Sequence, residues 1–156
     1  MRILIRMLLA VMILGITTGI LLYYLNVRRD ASDRELARAE VNRFQQQIYL
    51  RAALASPDQQ DAPPPVIDPS WFQENLPINP LLGTERPWVE VAAAHDKTRL
   101  HPHNLTAGSD EIAAFWYNPA NGVVRARVPE GISDSQALAL YNEVNDCGLG
   151  SLFPTP

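Results

Sequence analysis

His95, Asp96, His101 and His103 are the residues of this chain whose types and spacing come closest to metal chemistry. His-x-His on a strand would turn both imidazoles to one face, with Asp96 nearby to add a carboxylate. Pro102 between them removes a ladder donor, no fourth ligand is evident, and the spacing matches no zinc signature. The sequence therefore favours a loop with exposed histidines, and no metal or cofactor is expected. Asp110 and Glu111 are adjacent carboxylates, which a strand would send to opposite faces, so they suit solvent better than acid–base work. No nucleophile elbow, phosphate-binding loop or glycine-rich dinucleotide turn occurs. A metal-assisted enzyme using His95, His101 and His103 would need an acid–base or nucleophile pair that the pattern lacks, so no enzymatic activity is expected.

Cys147 is the sole cysteine, so no intramolecular disulfide is possible; pairing between molecules is open to an odd thiol in an oxidising compartment, but a small buried apolar residue near a helix end is the simpler role for it. Trp71, Trp88 and Trp116 suit core packing or the lining of a binding groove. Asn104-Leu-Thr matches a glycosylation sequon, relevant only in a eukaryotic secretory route.

The elements that must position these groups begin with a hydrophobic segment. Met7 to Leu25 contains no charged residue, close to the roughly 20 residues that cross a bilayer as a helix. Ile3, Leu4 and Ile5 extend it past Arg6, whose long side chain can reach headgroups. Tyr23 and Tyr24 sit where an interfacial aromatic belt would lie. The run is long for a cleaved signal peptide, and bulky Tyr-Tyr-Leu-Asn-Val-Arg-Arg follows it instead of a small-residue cleavage site. Gly15-x-x-x-Gly19 lies inside the span, a spacing that lets two helices approach closely. Arg2 and Arg6 precede the span, while Arg28, Arg29, Arg34 and Arg38 follow it, diluted by Asp30, Asp33, Glu35 and Glu40. An N-terminus in the cytoplasm, with the rest outside the inner membrane, is the expected orientation.

Beyond residue 51 the charge changes sign. Residues 28–51 hold six arginines and four acids, whereas residues 52–156 hold five basic and thirteen acidic residues. An acidic head is repelled by phosphate, which argues against nucleic acid as a partner; the basic neck suits anionic headgroups. Ala37, Val41, Phe44, Ile48, Ala52 and Ala55 repeat at steps of three and four, a helical stripe. Arg29–Asp33, Asp30–Arg34, Glu35–Arg38 and Glu40–Arg43 can pair along the exposed side. Ser56-Pro57 should stop the helix, giving a rod from Met7 of about 70–75 Å. Eight of the thirteen prolines lie between Pro57 and Pro87, an extended linker with Trp71, Phe72, Leu76, Leu81 and Leu82 as anchors.

The head is expected to be a small antiparallel sheet. "PWVEVAAA" alternates as a strand does, and "KTRLHPHNL" suits a short irregular edge strand. Ile112–Tyr117 and Val123–Val128 form a hairpin turned by Asn121-Gly122. Val124, Ala126 and Val128 should face inward, with Arg125 and Arg127 toward water. Ser133 with Gln136 suggests a capping box for a last helix, which carries Ala137, Leu140, Tyr141 and Val144 inward and ends at Gly148 and Gly150.

The whole is α+β: a long N-terminal membrane-spanning helix (1–27) continuing into an amphipathic neck (28–56), a Pro-rich loop (57–87), and a sheet head with a short C-terminal helix (88–156). "ENLPINPLLG", "PWVEV" and "AAFWYNPANGVVRARV" in this order after an apolar helix resemble the type IV pilin and type II secretion pseudopilin family. The nearest counterpart of that family's processing site is "GITTGIL" from Gly15, with Ile20 where the family has an acid, and the C-terminal cysteine pair of many pilins is not matched. The resemblance implies a membrane-anchored structural or interaction protein of a pilus-like or secretion-type envelope machine. Its partners would be membrane lipid and other pilin-like subunits, including a second copy of the chain. Packing would run through Gly15, Gly19, Val41, Phe44 and Ile48, with the last three buried under the hairpin at roughly 1.5–3 kcal/mol each. The alternative is an anchored periplasmic binding or sensing module that does not polymerise, with a pocket near Trp71, Trp88 and Trp116.

Overall fold

The computed structural model describes residues 2–55, 62–73, 75–131 and 133–153. The expected helix stop at Ser56-Pro57, the first part of the Pro-rich linker and the end of the C-terminal tail lie outside the described residues. The chain divides between Asp33 and Arg34 into two compact units.

Helix α1 is Arg2–Ala53. In the first unit Ile3 and the large apolar side chains from Ile5 to Val27 are exposed. From Ile5 onward α1 is long and apolar enough to cross a membrane, and its most apolar eighteen residues average a hydropathy of 2.2 with none buried against protein. Such a helix is compatible with a transmembrane anchor. Thr17 and Thr18 hydroxyls donate to the helix's own carbonyls at Ile13 and Leu14, so both are satisfied within the helix without a second one. The Arg28 guanidinium lies 5.0 Å from the Tyr24 ring centroid, a cation over an aromatic face.

In the second unit, the rest of α1 supplies one wall of the core. Ala37, Val41, Phe44, Ile48 and Ala52 are buried, as their three-and-four spacing requires. Phe44 is the hub: it stacks on Trp88 at 5.1 Å and meets Phe72 and Phe115 edge-on at 5.4 and 5.7 Å. Of the four local ion pairs expected along α1, Glu40–Arg43 closes, at 2.6 Å. Arg34 instead reaches Glu143 and Arg38 reaches Asp146 at the far end of the chain. Trp71, Phe72, Leu76, Leu81 and Leu82 join this core, so the loop that carries them is held by apolar contact.

The sheet is mixed, a correction to the antiparallel sheet expected. Strands β1 (Val89–Val91), β3 (Phe115–Asn118) and β4 (Val123–Ala126) run in the order β1-β3-β4. β3 and β4 are the antiparallel hairpin, with Phe115 opposite Ala126 and Tyr117 opposite Val124. β1 runs parallel to β3. The chain between them crosses back over the sheet, which a parallel neighbour requires and a hairpin does not. A second parallel pair joins β2 (Thr106–Ala107) to β5 (Val128–Pro129). "KTRLHPHNL" forms no strand. At the hairpin turn Gly122 has φ +72°, and a Cβ there would crowd the Pro63 ring at 3.0 Å, so both conformation and space select glycine.

Helix α2 is Asp134–Asn145 and buries Ala137, Leu140, Tyr141, Val144 and Asn145. The expected capping box does not form: Ser133 is the N-cap, but its side chain makes no capping bond and lies 3.3 Å from the Ser135 hydroxyl. The helix ends before either glycine. Asp146 takes the left-handed conformation at φ 50°, which a short polar side chain tolerates better than most. Asn142 then ties down the following turn, accepting from the Leu149 amide and donating to its carbonyl, both at 3.0 Å.

Candidate functional site

The hairpin alternates as its sequence demands. Phe115, Tyr117, Val124 and Ala126 face the core against α1, and all four are fully buried. On the other face Arg125 and Arg127 were expected to meet water, yet every residue of β3 is buried. The reason is the segment between β1 and β2, residues 92–105, which lies across that second face and is bonded to it through the carbonyls of Asp96, Lys97, Arg99, Leu100 and Asn104.

Four side chains make those bonds, Arg125 among them with Nε donating to the Leu100 carbonyl at 3.2 Å. The Asn118 amide donates to the carbonyls of Asp96, Lys97 and Arg99 at 3.0, 3.2 and 2.8 Å. Asn121 donates to the same Arg99 carbonyl at 2.8 Å. Arg127, expected to face water, is 2% exposed. Its guanidinium donates to the Asn104 carbonyl at 2.9 Å, to the Ala113 carbonyl at 3.0 Å and to the Glu90 carboxylate at 2.6 Å. A buried charge persists where its donors are matched in this way. Asn79 adds a bond to the Arg127 carbonyl at 2.8 Å. None of these roles shows in the local pattern.

The pinned segment carries the histidines. Asp96 ends a short 3-10 turn, Ala94–Asp96, and is buried. One oxygen of its carboxylate receives His103 Nε2 at 2.9 Å and Arg99 Nε at 3.1 Å, while the other faces His95 Nε2 at 3.4 Å. Both imidazoles remain largely exposed. His101 departs from the pair: its Nδ1 lies 3.1 Å from the Tyr141 hydroxyl. Burial, with Arg125 nearby, lowers the His101 pKa to about 4, so it is neutral at ordinary pH. Asp110 lies on a turn, not a strand, and pairs with Arg86 at 3.0 Å. The structure thus brings His95, Asp96 and His103 together and takes His101 away.

The residues expected to carry packing fall in different units. Gly15 and Gly19 have open space where a Cβ would stand, so the α1 surface there is flat and unoccupied by protein. Val41, Phe44 and Ile48 lie within the head's own core. The three tryptophans do not share a pocket among the described residues. Trp116 is buried on the second face, and Trp71 lies under the Arg51 guanidinium at 5.3 Å. Trp88 borders an apolar groove of about 520 Å³ together with Leu76, Ile78, Pro80 and Leu82.

The outer edge of β4 is closed by side chains that imitate a neighbouring strand. Asn145 accepts from the Ala126 amide at 2.7 Å and donates to its carbonyl at 2.9 Å. Gln45 does the same for the Val124 amide and the Gly122 carbonyl, at 2.9 and 2.6 Å. An incoming strand would have to displace both. Cys147 is half-buried and donates to Asn142 Oδ1 at 3.3 Å. Burial raises its pKa, which leaves it a poor nucleophile.

Compared with protein-family models, with curated proteins and with solved structures, the chain matches none.

Proposed function

We propose that this protein is a single-pass, membrane-anchored structural or interaction subunit of pilin-like design, acting without catalysis in the assembly of a pilus-like or secretion-type envelope machine. The observation that carries it is the division of labour along α1: its first part offers only exposed apolar surface, while its second part is an internal wall of an α+β head. In this proposal the head stands outside the cytoplasm and the helix lies in the inner membrane. The subunits are held side by side through the Gly15–Gly19 face, where nothing but hydrogen stands between backbone and neighbour. Partners are lipid and other anchored subunits, copies of this chain included.

Disulfide crosslinking in intact membranes tests it. In a Cys147→Ser background, cysteines placed one at a time from Ile13 to Leu22 should give adducts that peak at the Gly15 and Gly19 positions and fall away on the opposite face. Uniformly weak adducts around the helix would leave an anchor without assembly. A non-polymerising binding module is then favoured, with the apolar groove beside Trp88 as the place its ligand would fit.

A further inference from the structure

Asp96 is buried while both of its histidine neighbours are exposed, an arrangement with a consequence for metal ions. The Asp96 carboxylate cannot turn freely. Arg99 and His103 hold one oxygen, the backbone beneath it is fixed by the Asn118 bond to the Asp96 carbonyl, and the Arg99 amide closes on that same carbonyl at 2.8 Å. The second oxygen is left facing His95. One donor atom from each of His95, Asp96 and His103 lies within 4.8 Å of the other two.

We propose that His95, Asp96 and His103 form a binding site for a borderline divalent transition-metal ion of the zinc class. Two imidazoles and one carboxylate are the donor set such an ion prefers, whereas calcium and magnesium require a cage of oxygens. In a tetrahedral site with bonds of about 2.1 Å, donors stand roughly 3.4 Å apart. His95 Nε2 and the free Asp96 oxygen already stand at 3.4 Å. His103 gives up its bond to the carboxylate and turns its exposed ring onto the ion, while Arg99 stays on the other oxygen and orients it as an outer-shell partner. The fourth position opens to solvent, since both rings are surface groups. The ion joins the turn at Ala94–Asp96 to the stretch before β2, so it staples residues 92–105 into a closed loop over the second face of the sheet.

Sequence spacing hid this set because His101, two residues from His103, is drawn away by Tyr141. The contact that assembles the site is made by Asp96 across an irregular turn.

The test is a calorimetric titration of the full chain in detergent, free of any histidine tag, with Zn²⁺. One ion should bind per chain and raise the thermal midpoint of the head. His95→Ala and His103→Ala should each weaken binding by at least ~10-fold, with circular dichroism unchanged, because both residues are largely exposed. His101→Asn should leave affinity within about twofold, since that ring is not a ligand. Co²⁺ in place of Zn²⁺ should give the intense visible bands of a four-coordinate ion. Non-saturating binding, alanine variants that bind as tightly as the parent chain, a His101→Asn loss as large as theirs, or a pale six-coordinate cobalt spectrum would each overturn the site.

Discussion

Arg127 and Glu90 form a pair of unequal partners, and their difference is measurable. The Arg127 side chain is 2% exposed and that of Glu90 is 52% exposed. Replacing Arg127 by Met leaves the Asn104 and Ala113 carbonyls without a donor in a buried place, which should cost about 2–3 kcal/mol in denaturant unfolding. Glu90→Gln removes only a half-solvated partner and should cost under about 1 kcal/mol. Equal losses would mean that the ion pair, not the carbonyl bonds, holds the second face. His101 sets an acid limit on the same head. Its folded pKa, about 4, lies below the ordinary 6.5. Between those values the unfolded chain binds the proton more readily, so stability rises with pH across this window. Its contribution is fully present above about pH 6.5 and is lost as pH falls toward 4. Unfolding followed across this range should show the decline, and His101→Asn should flatten it.

At the scale of elements, the sheet has one edge sealed and one face covered by the chain's own loop. Asn145 carries its part of the seal from α2, and its amide both accepts from and donates to one residue, Ala126. Asn145→Ala should therefore cost about 2–3 kcal/mol, since the Ala126 amide and carbonyl are both orphaned where water cannot reach. Asn145→Asp should cost at least as much: the carboxylate still accepts from the amide but now opposes the Ala126 carbonyl. Thermal melts of the two variants decide between a bonding role and simple space filling, because only the latter would spare the aspartate. α1 and the hairpin were legible from residue spacing alone, since each repeats its core-facing residues with the period of its own geometry. The parallel placement of β1 was not legible, because a three-residue strand carries too little pattern to state its direction.

For the whole molecule, the boundary between Asp33 and Arg34 separates two physical regimes. Among the described residues, the first unit has apolar surface and no core, and the second contains every residue of the hydrophobic core. The full chain should remain with membranes through alkaline carbonate washing, whereas a chain beginning at Arg34 should be recovered in buffer and unfold cooperatively. Recovery of the full chain in the wash supernatant would remove the anchor. Aggregation of the shortened chain, with no cooperative transition, would show that the first unit is needed for the head to fold.

The sequence by itself determined the apolar length of α1, the stripe from Ala37 to Ala52, the hairpin and its glycine, and the inward set of α2. These follow from local periodicity and from backbone conformations that few residues accept. Tertiary structure alone decided that Arg127 is buried, that Asp146 and not a glycine ends α2, and that His95 and His103 meet on Asp96 while His101 turns to Tyr141. A period of two tells which residues share a face of a sheet; it cannot tell what lies on that face. The irregular segment that covers it is placed by bonds from Asn118, Asn121 and Arg127, roughly twenty residues further along the chain, and contacts at that separation leave no trace in local spacing.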